Sequence, residues 1–374
     1  MATNENLGGV LHRRTVFMQV MRRKTLETGF FTTAEIAEET EVPRSTAQDW
    51  VNRLLHEGCI FIKEKRRGRN PAHYASRSAL PQTTCRRIFT TVSDGYAEIF
   101  HECLSSGCAG FCEFHHRNAG GAALYVSRDG LIFREIAKLD ETRPLNLEHS
   151  AVGLQNVTLD GNDVIQTITS VYGGPSYSLS SMMGMAAGVK HVEIATGNGL
   201  MTGKVRTPAL IPVTVGIDDT DRKGCGGATF ALANALFKAI TESKMAIGIR
   251  HQVAKLSQDI EEMTAGNSCS FLEFAVEPDK LNELTSKICR FVSDESVSSE
   301  WGVAIFTGIF GSEKMKEMAA AIRDHRVSLN DAVLGAEECG IKTYGGRGII
   351  GAVAAVCLKN QKQDVLLDNR IPMT

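Results

Sequence analysis

Residues 213–230 constrain this chain more than any other stretch. A β-branched run, Val213, Val215 and Ile217, leads into three carboxylates, Asp218, Asp219 and Asp221, with Thr220 among them. Gly224, Gly226 and Gly227 follow, and then an Ala/Leu-rich segment over 230–240 with helical periodicity. The order predicts a strand, a tight glycine turn and the N-terminus of a helix. Backbone N–H groups freed by glycines, at the positive end of a helix dipole, suit a phosphate. Carboxylates at the end of the preceding strand suit Mg²⁺, a hard cation that prefers oxygen ligands and bridges to phosphate oxygens. The stretch is therefore expected to hold a nucleotide phosphate and Mg²⁺. An acidic N-cap that complements the dipole is the plainer alternative, but three acids exceed what capping needs.

A second signal lies far along the chain. Gly345, Gly346 and Gly348 surround one cation, Arg347, ahead of an Ile/Ala/Val segment with no charge before Lys359. A guanidinium held among glycines, where backbone can approach closely, suits a phosphate or carboxylate. A turn before a buried helix would also use such glycines. Between the two signals, Asn267 stands between Gly266 and Ser268, where an amide could meet phosphate or base or simply form a turn. The nucleotide-binding set read from these stretches is Thr220, Gly224, Gly226, Gly227, Asn267, Gly346, Arg347 and Gly348.

Three segments carry a resemblance: Gly216-Ile-Asp-Asp-Thr-Asp221 with its glycine turn, Ala265-Gly-Asn-Ser-Cys-Ser-Phe-Leu-Glu-Phe-Ala-Val276, and Gly346-Arg-Gly-Ile-Ile-Gly-Ala-Val-Ala-Ala-Val356. Over residues 210–360 their order resembles the ATP-dependent kinase-like domain of the archaeal tRNA-isoleucine agmatinylcytidine synthetase family, TiaS. The resemblance implies a domain that binds ATP and Mg²⁺ and activates a carbonyl by phosphoryl transfer, with nucleotide binding by Asp218, Asp219, Asp221, Asn267 and Arg347. Two departures matter. The family follows its acidic loop with Cys-Thr-Thr and phosphorylates the first threonine; here the aligned residues are Gly227, Ala228 and Thr229, so Thr229 is left as the candidate hydroxyl. The family also continues into an OB-fold and a zinc ribbon that grip tRNA, and a chain ending at Thr374 is expected to lack both.

A length of 374 residues suits two or three domains with real cores. Lys plus Arg is 41 against 43 for Asp plus Glu, so any nucleic-acid surface must be local. No run of 18 apolar residues occurs and the first thirty residues are broken by arginines, so neither a membrane span nor a signal peptide is expected. Ten scattered cysteines fit a reducing cytoplasm.

Residues 1–80 read as a winged helix-turn-helix resembling those of archaeal transcription regulators. Val16, Phe17, Val20 and Met21 share a helical face, and Thr32 with Glu35 forms a capping box. In the third helix Ala47, Val51, Leu54 and Leu55 face inward, leaving Arg44, Ser45, Thr46 and Gln48 outward where a recognition helix reads double-stranded DNA. A hairpin follows whose tip holds Lys65, Arg66, Arg67 and Arg69, a wing suited to phosphate. A protein-docking module with a solvated basic loop is the alternative.

A linker over 76–84 leads into 85–210, expected to be an α+β domain. Its Cys103, Cys108, Cys112 and His115 are candidate ligands for zinc or an iron–sulfur cluster, although the spacing lacks CxxC pairs and cysteine also fills cores. Strands are expected at 122–126, 131–133, 164–171 and 189–195, a turn at 172–176 and a helix at 179–189. Glu261 and Glu262 read as a solvated pair. With 211–374 as the nucleotide-binding α/β domain, the fold class is multidomain α+β. Two functions stay open. One is a DNA-binding transcription regulator, possible as a homodimer, controlled by ATP and Mg²⁺ or by a metal or redox site. The other is an ATP-dependent enzyme that acts through Asp218, Asp219, Asp221 and Thr229 on a nucleic acid or another substrate.

Overall fold

The computed structural model describes residues 4–79, 85–171, 182–258, 260 and 266–373. The chain divides into two compact units, Met1–Thr83 and Thr84–Thr374.

The first unit runs α1 (Asn4–Thr28), α2 (Thr33–Glu39), α3 (Arg44–His56), β1 (Ile60–Glu64) and β2 (His73–Ser76), the two strands pairing antiparallel. The capping box forms as the spacing predicts: the Glu35 N–H donates to Thr32 Oγ1 at 3.3 Å, and the Thr32 N–H donates to Glu35 Oε2 at 2.7 Å. Gly58, at φ +71°, takes the left-handed turn that stops α3 and releases the chain into β1. Phe17, Met21, Phe31, Ile36, Ala47, Val51, Leu54 and Ile60 bury together as the core. Arg44 and Ser45 are exposed, as are Lys65, Arg66, Arg67 and Arg69 at the hairpin tip, while Thr46 is half-buried. Gln48 is engaged, accepting from Thr33 Oγ1 at 3.1 Å and donating to Asn52 at 3.0 Å.

The second unit begins β3 (Cys85–Ser93), β4 (Tyr96–Cys103), α4 (Ser106–Ala119), β5 (Ala123–Asp129), β6 (Ile132–Lys138), β7 (Val152–Asp160), β8 (Asp163–Val171), β9 (His191–Gly197) and β10 (Leu200–Asp218). It continues with α5 (Thr229–Glu242), β11 (Ile247–Lys255), β12 (Ser268–Val276), α6 (Leu281–Glu295), β13 (Gly302–Phe306), α7 (Glu313–Asp324), α8 (Leu329–Glu338), β14 (Lys342–Gly345), α9 (Ile349–Cys357) and α10 (Gln363–Leu367). The strands join one branched sheet with a main path β11-β12-β10-β3-β4-β6-β5.

β10 ties the unit together. Its first half pairs with β8 and β9, Ala209 and Leu210 pair in parallel with β3, and the remainder pairs antiparallel with β12 and β13. The division expected at 210 therefore falls inside a continuous strand, and 85–210 and 211–374 pack as one unit.

Helices cover both faces of the C-terminal sheet. Val213, Val215 and Ile217 point to one face, under Ala233, Leu236 and Ile240 of α5 and Leu284, Ile288 and Val292 of α6. Gly216 points to the other, where a Cβ would lie 1.9 Å from the Ala352 carbonyl oxygen; the bare glycine lets α9 rest directly on β10. α9 is apolar on all sides because it is buried on all sides, and Val353 and Val356 each contribute about 1.5–3 kcal/mol through that burial.

The strands expected near 122–126, 131–133, 164–171 and 189–195 correspond to β5, β6, β8 and β9. Of the helix expected at 179–189, only Met182 and Met183 are helical among the described residues. The expected turn at 172–176, the residues Glu261 and Glu262, and much of the linker lie outside the described residues.

Candidate functional site

Asp218 ends β10 against the N-terminus of α9. A Cβ on Gly351 would sit 1.7 Å from Asp218 Oδ2, and one on Gly348 would sit 2.7 Å from the Asp218 carbonyl oxygen. These glycines make room for the carboxylate. Asp219 then takes a left-handed conformation, φ +55°, which a short polar side chain tolerates better than most. Thr220 turns inward, 2 % exposed, and is held from both sides. Its hydroxyl donates to Thr229 Oγ1 at 3.1 Å, and its carbonyl accepts from the Val297 N–H at 3.0 Å. Gly224, Gly226 and Gly227, all at φ between +81° and +89°, close the loop around an Arg222–Gly226 backbone pair. The loop delivers the chain to Ala228, the N-cap residue of α5, whose side chain offers no acceptor to the first turn.

Opposite the acids, the Arg347 guanidinium stands 3.8 Å from Asp219 Oδ2. Its backbone N–H donates to Glu300 Oε2 at 3.1 Å, and the Gly348 N–H donates to the Glu300 carbonyl at 2.7 Å. Asn267 spans the rim, donating from its amide to the Ser257 carbonyl at 2.8 Å. Asp218, Asp219, Asp221, Asn267, Arg347 and Gly348, gathered from three separate parts of the sequence, line one cavity of ≈ 340 Å³. Leu256, Ile322, Val327 and Ile350 supply apolar wall.

Burial pushes the Asp218 carboxyl up to about 8, with the neighbouring Asp219 and Asp221 charges adding to the shift and the Asp219 backbone and Arg347 opposing it. Asp219 is also raised, by burial first and by Asp221 and Glu300 after it, against the pull of Arg347. A cation among these oxygens would relieve both.

Other expected residues stand apart from the cavity. Thr229 is 8 % exposed and its oxygen is engaged by Thr220, which makes it a strut beneath the loop. Gly224, Gly226, Gly227 and Gly346 shape turns and do not line the wall. Sequence reasoning missed Glu300, which holds the Arg347 and Gly348 backbone from outside the cavity, and the wall over 325–329 with its Ser328, because their local sequence is ordinary polar loop.

Of the expected metal ligands in the middle segment, Cys103 and Cys112 both lie against Cys108, while His115 is engaged elsewhere. His115 Nδ1 accepts from the Ala151 N–H at 3.0 Å and its ring packs on Phe111, away from a shared centre. Cys103 and Cys112 are buried, and contact with Cys108 and burial push both thiols up. Among the described residues no group of three or more His, Cys, Asp or Glu is arranged to hold a metal ion, the acidic trio included. No helix among them is long and apolar enough to cross a membrane.

No family model matches the chain. An uncharacterized protein of Methanocaldococcus jannaschii is 28% identical over 251 residues, 66% of this chain and 83% of that protein. The TiaS enzyme of Pyrobaculum neutrophilum, an isoleucine-tRNA 2-agmatinylcytidine synthetase, is 32% identical over 151 residues, 38% of this chain and 34% of that enzyme. Over that stretch the chain is TiaS-like, and the match spans about a third of TiaS. Among solved structures, the complex of TiaS with an isoleucine tRNA and ATP is similar at 24% identity with a TM-score of 0.34, over 39% of this chain and 36% of that one. A tRNA fluorescent labeling enzyme is similar at 24% identity with a TM-score of 0.35, over the same shares of each chain.

Proposed function

We propose that the chain is an ATP-dependent enzyme that activates a nucleic-acid substrate by phosphoryl transfer. The observation that carries this reading is the convergence of Asp218, Asp219, Asp221, Asn267 and Arg347 on one cavity, within the stretch that is similar to a tRNA-modifying enzyme. Of the two functions the sequence leaves open, the DNA-binding regulator gives way to it.

Asp219 and Asp221 would hold Mg²⁺, with Asp218 behind them. Mg²⁺ keeps several waters and takes its remaining ligands from one or two carboxylates and the substrate phosphates, so it does not require three protein acids. When bound, it neutralises charge on the transferring phosphoryl group. Arg347 supplies fixed positive charge from the opposite wall, and the N-terminus of α5 would turn the positive end of its dipole towards an anion. Leu256, Ile322, Val327 and Ile350 would take the base. Phosphoryl transfer depends on positioning and charge neutralisation more than on a protein nucleophile. With the Thr229 hydroxyl engaged under the loop and Ala228 in the neighbouring position, transfer runs directly from ATP to the substrate.

The first unit, three helices and a basic hairpin, serves in this reading as a winged helix-turn-helix that presents the nucleic acid. Arg44, Ser45 and Thr46 face it from α3, and Lys65, Arg66, Arg67 and Arg69 from the hairpin tip. The partner is an RNA or DNA strand carrying the target base.

The test is release or transfer of labelled γ-phosphate from ATP with Mg²⁺ and total tRNA. Turnover should be lost by a factor of about 100 or more in Asp219→Ala, in line with losses for groups that stabilise transition-state charge. Tight ATP binding without turnover, together with nucleotide-dependent retention of double-stranded DNA, would support the regulator instead.

A further inference from the structure

A second cavity, of ≈ 720 Å³, opens in the same unit at the opposite ends of the helices that frame the acidic site. The acidic cavity meets Ile322 near the C-terminal end of α7 and Gly348, Ile350 and Gly351 at the N-terminal end of α9. The second meets Ser312, Glu313 and Lys316 at the start of α7, and Cys357 and Lys359 at the end of α9. The nine residues of α9 rise about 13 Å, so a small molecule in one cavity does not touch reacting atoms in the other.

The second cavity has an unusual charge inventory. Arg134 on β6 is ion-paired with Glu98, which is 3 % exposed, and Arg250 on β11 donates to Glu273 at 2.5 Å and to the Lys359 carbonyl at 2.6 Å. The Lys359 ammonium is itself buried and donates to the Gly308 carbonyl at 2.5 Å. Burial alone would raise Glu273, but Arg250, Arg134 and Lys359 together hold it below the usual carboxylate range, so these groups share one field. Three basic side chains thus stand against two carboxylates, Glu98 and Glu273, where solvent screens poorly. At the rim Arg128 pairs with Glu113 and Lys316 with Glu313, and Lys362 stands beside them with Asp129. Phe100, Ile136 and Ile249 add apolar surface. Such a lining combines anchored cations, which need no reorganisation to meet an anion, with a wall suited to hydrocarbon or a ring.

We propose that this cavity binds a small organic anion, a carboxylate or phosphate carried on an apolar body, as an effector acting at a distance from the acidic loop. The anion would face Arg134 and Arg250, and its body would lie on Phe100 and Ile249. α7 and α9 reach both cavities, so an equilibrium shift in either helix would couple them.

Titration calorimetry on the full chain tests this with phenyl phosphate, benzoate and uncharged benzyl alcohol as probes. At least one anion should bind with one-to-one stoichiometry while the alcohol does not, and phenyl phosphate against benzoate tells which anion class the site takes. The exposed pair Lys316→Glu with Lys362→Glu should weaken binding about tenfold through the rim field without disturbing the core. Arg134→Gln combined with Glu98→Gln should abolish it, while Arg347→Ala in the acidic cavity should leave it unchanged. Loss of binding in Arg347→Ala, equal binding of the alcohol, or indifference to the rim reversal would overturn the proposal. Failure of both anions to bind at millimolar concentration would do the same. None of these outcomes depends on whether the acidic cavity takes ATP.

Discussion

At Asp218 a carboxyl is held half-buried at the end of a strand, beside two like charges and under a helix that only glycine allows to come so close. Its folded pKa, raised to about 8 from an ordinary 3.8, means that the folded protein keeps a proton the unfolded chain has lost. Asp218 therefore lowers folding stability as pH rises from 3.8 towards 8, and a cation that restores the charged form must expel the proton. Mg–ATP binding should accordingly tighten by about tenfold between pH 7 and pH 9, since one pKa unit corresponds to a factor of ten. Calorimetry in buffers of different ionisation enthalpy should show proton release at pH 7 that disappears in Asp218→Asn. Gly351→Ala makes a companion prediction. Its methyl would collide with Asp218 Oδ2, so it should cost about 1–3 kcal/mol of stability, measured by denaturant unfolding, and weaken nucleotide binding as well. Thr229→Ser should retain most turnover, because a serine hydroxyl can still accept from Thr220.

Among the elements, α2 shows how local chemistry sets a boundary. Thr32→Ala should cost about 1 kcal/mol of stability in the first unit, because the first turn then loses its side-chain acceptor. The packing of α4 on β4 and β6 supplies an element-scale pH effect. His101 is fully buried, both ring nitrogens find no partner among the described residues, and burial depresses its pKa from 6.5 to about 4. A base depressed in the fold binds its proton more readily when unfolded, so stability should fall as pH drops from 6.5 towards 4. His101→Phe should flatten that part of an acid-unfolding curve.

These elements also mark what sequence could reveal. Alternating Val213, Val215 and Ile217 and the capping box at Thr32 announce β10 and α2 by local pattern, and both form. The acids, Asn267 and Arg347 were readable as candidates because glycines beside charge are uncommon in plain scaffold. By contrast, the partners of His115 and His116 on α4 are Ala151 and Glu135, which are distant in sequence and which no local spacing could show. The continuous buried run of β12 and the length of β10 depend on layers supplied by far segments, so no window of sequence shows that 85–210 and 211–374 share a core.

For the molecule as a whole, charge is nearly balanced, at a formal net of −2, so affinity for nucleic acid has to come from local basic surface. Reversing Arg66 and Arg67 to Glu should weaken nucleic-acid binding across sequences and flatten its salt dependence, as the loss of phosphate contacts requires, while ATP affinity stays unchanged. The central claim concerns the other unit. Calorimetric titration of the full chain with Mg–ATP, beside Asp219→Ala and Arg347→Ala, tests it most directly. The account expects one-site binding in the wild type that falls at least about tenfold in each variant, with both variants folded at the temperature of the titration. Absence of binding in the wild type at millimolar nucleotide, or equal binding in all three proteins, would contradict it.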